Sequence, residues 1–408
     1  MKKSLIIVLV LAALQGLIHN IGHPVTPALV TSIGIPDKMF GVFFAAMSLG
    51  LMIGGPIFGT LGDKFQKNKL IFWGLIVYSV GQASFGLVEN MYLMTFFRVV
   101  SGLGVAGIVT LFVSYVIEIS EKDKRAKNLA LLAATITLFA GIGYKLGGFL
   151  NGNPFFVSLL RTDIYSNIFV IQGVLNIGFA FLVLFFLKEP DKVKSSKNHS
   201  VWFSSFRKLK DLDSSFLIFL FAIAFISIGA INLSKYIDVY FNQLGYSPND
   251  LGSFVLVTGI ISVLSSLFLV PLVIKYKREL TVMIIIQIAS AIIVFIAFRQ
   301  SQFLIAMYTI YMIYVILRAI YLPYEQNFIS EYAEDGSIGT IMGIRQSFLS
   351  IGMILGPVIA GYLYEVNPIY VFDLSAIMFL IGFVLFLIVF LKIKKRKQVS
   401  SSITENVD

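Results

Sequence analysis

Apolar positions along this chain do not alternate and rarely follow a one-sided helical stripe. They come in long unbroken runs, parted by short clusters of charge. A helix crosses the hydrocarbon core of a bilayer in about 20 residues, and twelve runs reach that scale. In the first half they cover 5–32, 39–62, 70–88, 91–118, 128–150 and 167–187. In the second half they cover 215–242, 251–274, 280–298, 303–329, 339–364 and 369–391. The opening "MKKSLIIVLVLAALQG" has the basic start and apolar stretch of a signal peptide, but the run continues past Gly16 to Ser32. An uncleaved first span is therefore expected.

Composition sharpens this to a polytopic membrane protein. Hydrophobic residues make up 57% of the 408, and charged residues only 13%. Soluble domains carry roughly 45–50% apolar and about 25% charged residues, and could not hide this much apolar surface. The expected fold class is an all-α membrane protein of twelve transmembrane helices. With no Cys and three His, disulfides, thiol chemistry and a metal site are not expected, nor is a cofactor.

The net charge of +10 is distributed as a topology signal. With the N-terminus inside, 24 of the 32 Lys and Arg fall on the inner side, and only Lys38, Arg161 and Arg299 fall outside. That asymmetry follows the positive-inside rule and predicts a multi-pass protein of the cell membrane with both termini cytoplasmic. The basic clusters then meet lipid headgroups rather than nucleic acid.

The longest polar segment separates an N-terminal six-helix bundle (1–187) from a C-terminal one (215–391). Within this linker, 188–214, Trp202, Phe203 and Phe206 lie beside Arg207, Lys208 and Lys210. That pattern is read equally as an interfacial helix or as a solvated linker. The basic, Ser-rich tail 392–408 is expected to be disordered. Nothing in the sequence demands a partner chain, so a monomer is expected.

Between the second and third spans, "GTLGDKFQKNK" runs from Gly59 to Lys69. Its glycines permit close helix approach and Asp63 can cap a helix end. The segment resembles the loop signature Gly-x-Leu-Ala-Asp-Arg-x-Gly-Arg-Lys of the major facilitator superfamily, with Gln66 where the second Gly is expected. The resemblance extends through "RVVSGLGVAG" (98–107) and "EISEKDKRAK" (118–127). "HPVTP" (23–27) resembles the first-span motif of bacterial drug:proton antiporters, and "GYSPNDLG" (245–252) and "LGPVIAGYL" (355–363) look like that branch too.

This resemblance implies two pseudo-symmetric six-helix bundles around one site reached alternately from either side. It also implies a cytoplasmic gate formed by Gly59, Asp63, Lys67, Glu118 and Arg125. One departure stands out. Where antiporters carry Gly-Pro-x-x-Gly-Gly in the fifth span, this chain reads "GYKLGG" (143–148), with Tyr144 replacing Pro and Lys145 beside it.

Ionisable groups within spans cost at least about 2.5–3.5 kcal/mol each and usually face a bundle interior or an aqueous path. The bases are Arg98, Lys145, Lys235, Arg318 and Arg345, and the acids are Asp238, Glu325 and Asp373. Arg345 and Asp373 are expected to snorkel or cap, and Lys235 and Asp238, three apart, are open to a local pair. In the tenth span Tyr311, Tyr314, Arg318, Tyr321 and Glu325 fall within about 80° of helix circumference, a candidate cavity wall. Arg318 there would attract an anion or hold a carboxylate such as Asp238. In the first span Gln15, His19, His23 and Thr26 share a face of similar width. Substrate is thus expected at Gln15, His19, His23, Arg98, Lys145, Tyr311, Tyr314, Arg318 and Tyr321. Proton coupling is expected at Asp238, Glu325, His19 or His23, since histidine titrates near neutrality.

The favoured reading is a secondary active transporter that exports small amphipathic molecules in exchange for protons. An organic-anion importer or exchanger using the intramembrane Arg and Lys, and a lipid translocase on the same fold, are the alternatives. Enzyme signatures such as a phosphate loop or nucleophile elbow are missing from the sequence. The gate reading predicts that Asp63→Asn cripples turnover and spares substrate binding. Uptake and binding measured side by side check this, and normal transport in the variant would remove the gate.

Overall fold

The computed structural model describes residues 3–121, 124–188, 213–273, 275, 278–331 and 338–404. Among them the regular elements are helices, and twelve are long and apolar enough to cross a membrane. Each lies on one of the twelve apolar runs, the first covering only the start of its run. The linker segment around Trp202 lies outside the described residues.

Among the described residues three spans depart from simple rods, two of them beside prolines that lack a ladder donor. The first run is not continuous: one helix covers Lys3–Asn20, residues 21–25 turn, and a second helix covers Thr26–Ser32. Pro24 and Pro27 have no N–H for the carbonyls four residues earlier. The eighth span widens into a π-helical stretch at Ser265–Leu269, ahead of Pro271, again where a proline removes a ladder donor. The tenth is interrupted at Thr309, between Phe303–Tyr308 and Ile310–Glu331. A short helix, Pro154–Leu160, also forms between the fifth and sixth spans, capped by the Asn153 side chain.

Contacts divide the chain into two compact units that do not follow the 1–187 and 215–391 halves. Unit 1 comprises Met1–Asn198, Lys235–Val263 and Pro357–Glu365, and unit 2 the remainder. In unit 1 the second span packs on the fourth, the third on the fourth and sixth, and the first on the fifth. In unit 2 the ninth span packs on the tenth and twelfth. The third and ninth spans thus play equivalent roles, as a six-helix repeat requires.

Parts of the seventh, eighth and eleventh spans belong to unit 1 because its far end, opposite the start of the first span, is closely knit. Lys38 pairs with Glu365 at 3.1 Å. The Tyr236 hydroxyl donates to the Pro357 carbonyl at 3.0 Å, and that of Tyr364 to Gln243 at 2.5 Å. Burial, and then the like charge of Glu365, push the Asp37 carboxyl above the usual range. The glycine pair of "GYKLGG" allows two close approaches. A Cβ on Gly147 would lie 1.9 Å from the Ile21 carbonyl oxygen, and one on Gly148 would lie 2.3 Å from that of Pro248.

Among the described residues, the first six spans contribute two apolar clusters to unit 1. One gathers Leu5, Leu11, Leu75, Phe112 and Val183 towards the near end. The other gathers Ile21, Val25, Phe43, Phe85 and Phe169 towards the far end. The break in the first span falls between them.

The twelfth helix runs from Pro368 to Thr404 and so extends past the last span into the basic tail. Lys, Arg and Gln favour helix. Arg396 pairs with Asp213 at 2.6 Å, and Lys392 donates to Ser214 at 3.4 Å. The hydrogen bond from Arg396 holds the Asp213 carboxyl below its ordinary range.

Overpacking a tight interface costs about 1–3 kcal/mol. Gly147→Val is expected to lower the thermal midpoint of the purified protein accordingly. Gly152→Ala, where no atom lies within 4 Å of the added carbon, should leave it unchanged.

Candidate functional site

The break in the first span leaves backbone carbonyls without helical donors in the middle of an apolar bundle. Gln172 of the sixth span supplies them. Its side-chain amide donates to the carbonyls of His19 at 2.6 Å and Ile18 at 2.9 Å. The Gln172 oxygen accepts from Gln82 at 3.1 Å, and the Gln82 oxygen accepts from Arg98 at 3.1 Å. Arg98 is 4% exposed. Its guanidinium lies 3.6 Å over the Phe85 ring and 3.9 Å from the Met47 sulfur. Among the described residues it has no carboxylate partner.

A second line of groups leads from the same break to the seventh span. His19 stacks on Tyr78 at 5.0 Å and meets His23 edge-on at 5.7 Å. His23 stacks on Tyr144 at 5.4 Å with the rings 5° from parallel. The Tyr144 hydroxyl donates to the Asp238 carboxylate at 3.0 Å. Asp238 is 2% exposed and has no ion pair among the described residues. Lys235 and Asp238, left open as a local pair, make no direct ion pair among the described residues, although each charge acts on the other. Asp238 is engaged by Tyr144, and the Lys235 ammonium lies 4.8 Å over the Phe44 ring.

Lys145, expected to meet substrate, is instead held by the eighth span. It donates to Asn249 at 2.6 Å and to Ser253 at 2.7 Å. Two neutral acceptors at these distances fix the ammonium as a tie between the fifth and eighth spans. Both residues that replace the antiporter motif thus reach helices of the chain's second half.

A cavity of about 20 Å³ opens beside this network, with room for roughly one water molecule. Three phenylalanines and Met47 of the second span line it, together with His23, Thr26, Arg98 and Lys235. Gln15, one turn before His19, is buried with its side-chain oxygen unpartnered. The structure therefore gathers His19, His23, Arg98 and Asp238 in one layer of unit 1.

The tenth-span stripe lies in unit 2. Tyr311 and Tyr314 approach at 5.3 Å, and Tyr314 packs on Phe379. The guanidinium of Arg318 lies 5.4 Å from the centre of the Tyr321 ring, and the Tyr321 side chain is buried. Glu325, 1% exposed, is paired with Arg345 at 2.5 Å. Arg345 therefore does not snorkel: the eleventh span brings it to a carboxylate that would otherwise be buried alone. Asp373 likewise pairs with Arg299, at 2.7 Å. A Glu325 committed to an arginine is a weaker proton carrier than Asp238, which has only a hydroxyl donor.

At the near end of unit 1, Lys67 is buried and pairs with Glu118 at 2.8 Å while also donating to the Gly62 carbonyl. Gly59 faces Thr110, and the Arg125 Nε is buried with no partner among the described residues. The Asp63 side chain lies outside the described residues. No group of three or more metal-ligating side chains occurs among the described residues.

Gln82, Gln172, Tyr78 and Tyr144 were not among the expected site residues. A search for charge inside spans passes over neutral amides and phenols. A glutamine in mid-span must nonetheless find partners, and that signal would have pointed to Gln82 and Gln172.

Comparison with known proteins places this geometry. The family described as Major Facilitator Superfamily matches residues 5–247 and 217–406. Multidrug resistance protein 2 of Bacillus subtilis (strain 168) is 24% identical over 374 residues, which cover 88% of each chain. Quinolone resistance protein NorA of Staphylococcus aureus (strain MRSA252) is 25% identical over 364 residues, covering 85% of this chain and 87% of NorA. In fold, the chain is similar to a bacterial homologue of the human lysosomal transporter Spinster. The TM-score is 0.73 at 16% identity, over 95% of this chain and 96% of that one.

Removing one partner of a buried ion pair costs about 3–5 kcal/mol, whereas replacing both with apolar groups can be near neutral. Arg345→Met is expected to lower the thermal midpoint strongly, and Glu325→Leu added to it should recover most of the loss. Equal midpoints for the single and double variants would show that the pair is not coupled.

Proposed function

The chain belongs to the Major Facilitator Superfamily of membrane transporters, and from that premise we propose that it exports small amphipathic molecules in exchange for protons. The observation that carries the reading is the buried line His19–His23–Tyr144–Asp238 beside an aromatic cavity. The multidrug and quinolone resistance proteins among its relatives support the substrate class. The basic clusters favour placing the near end of unit 1 in the cytoplasm, across the cell membrane from the far end.

On this reading Asp238 carries the proton and Tyr144 reports its state to the far end. With the far end sealed, the carboxylate accepts the Tyr144 hydroxyl and substrate loads from the cytoplasm. When the far-end contacts part, substrate leaves, and the carboxylate loses its donor and takes a proton from outside. Resealing returns the hydroxyl to the carboxylate, and the proton departs inward through the histidines. A hydrogen bond to a charged group contributes about 1.5–3 kcal/mol. Moving a two-state equilibrium from 1:99 to 99:1 takes about 5.5 kcal/mol. Tyr144–Asp238 therefore needs help, which the Lys145 ties and differential substrate binding supply.

Asp238→Asn is expected to abolish accumulation against a gradient in proteoliposomes while substrate exchange continues at a comparable rate. A pH dye inside the vesicles should show proton movement on substrate addition for the wild type and none for the variant. Full uphill transport in Asp238→Asn would rule out Asp238 as the carrier.

A further inference from the structure

The cavity of unit 1 carries more charge than its transport cycle requires. Of its lining residues, Arg98 and Lys235 are cationic, His23 is titratable, and no acid faces in. Arg98 is engaged by a glutamine oxygen, a thioether and the face of Phe85. Lys235 is engaged by the face of Phe44. Among the described residues neither has an ion pair. Asp238, one turn along the helix from Lys235, is turned to Tyr144. Two cations held within membrane-spanning segments without a direct ion pair are costly; Asp238, one turn from Lys235, offsets part of that charge from a distance, and aromatic faces compensate the rest only partly.

We propose that this cavity is a monovalent-anion site, in which Arg98 and Lys235 together hold either the carboxylate or sulfonate head of an amphipathic substrate or a free halide. The inference rests on the transport reading and deepens it by naming the charge of what is bound. Room for about one water molecule matches a single small anion or one acid head group. The adjoining Phe40, Phe44 and Met47 give the apolar tail of an aromatic acid a surface to lie on. Met47 adds the adaptability of an unbranched thioether. A cationic amphipath would meet two like charges in the cavity wall, with no carboxylate among the residues that line it. The cavity therefore selects against the ligand charge that a multidrug exporter would otherwise be expected to favour.

The test is equilibrium binding to the purified full-length protein in detergent, in a gluconate buffer at pH 7. Titrations with 2-naphthoate, 2-naphthylmethylammonium and chloride are followed calorimetrically. Naphthoate should bind saturably and the ammonium analogue should not compete with it. Lys235→Gln should weaken naphthoate by about tenfold or more, as expected when one partner of a buried charge pair is removed, and Lys235→Arg should restore it. Chloride that competes with naphthoate identifies the free anion as a ligand. Chloride without effect assigns the site to the head group of the substrate.

Unchanged naphthoate affinity in a Lys235→Gln protein with native thermal behaviour would overturn the proposal. So would competition by the ammonium analogue, or no naphthoate binding at all. Should Lys235→Gln fail to fold, Phe44→Ala gives the second reading. It removes the ring beneath Lys235 and should weaken naphthoate; unaltered naphthoate binding counts against the site. Loss of proton-driven export with naphthoate binding intact would contradict the export reading and leave the anion site standing.

Discussion

A bilayer supplies no hydrogen bonds, so a helix broken inside it must have its orphaned backbone groups satisfied by neighbouring side chains. In this protein that constraint acts at the turn of residues 21–25, and the rest of the site is arranged around its solution. Gln172 caps the loose carbonyls of Ile18 and His19, Gln82 orients Gln172, and Arg98 orients Gln82. The turn stops the first span from burying a uniform apolar face. It sets His19 and His23 against the rings of Tyr78 and Tyr144. A polar layer thereby lies between two apolar clusters that would otherwise merge into one.

The second determining feature is the pair Tyr144–Lys145. In the motif that this stretch resembles, a proline occupies the first of these positions and shapes its own helix. Here the two residues act on other helices. Tyr144 donates to Asp238 of the seventh span, and Lys145 donates to Asn249 and Ser253 of the eighth. Close packing by Gly147 and Gly148 brings the backbones near enough for such short side-chain ties. A bend-forming residue has been exchanged for a polar clamp, and one end of that clamp is a carboxylate able to carry a proton. The proposed coupling follows from this exchange: a change in charge at Asp238 alters a contact that holds the far end of unit 1 together.

Much of the fold was legible in the sequence because a span must be long and apolar throughout, and twelve such runs are hard to mistake. The breaks were less legible. Gly22, Pro24 and Pro27 all stood in view, yet an apolar run reads as continuous across them unless the missing N–H groups are counted. The loop resemblance named Lys67 and Glu118 among its gate residues, but that they pair with each other is a tertiary contact. Glu325 and Arg345 lie on different spans, and no helical spacing could show that they meet. Lys235 and Asp238 share a face by spacing, but each has a better partner on another helix. Local periodicity thus located the ionisable groups and their faces, while tertiary contacts decided what each one touches.

The central claim is that Asp238, through Tyr144, controls access from the far end. The chain contains no cysteine, so a single Thr26→Cys substitution offers one reporter thiol at the cavity wall. The most direct measurement is its rate of modification by a membrane-impermeant maleimide applied to intact cells, as a function of external pH and corrected for the reagent's own pH dependence. The account predicts slow labelling at pH 8 that accelerates as the pH falls, and fast, pH-independent labelling when Asp238→Asn is added. A corrected rate with the same pH profile whether or not Asp238 is present would contradict it.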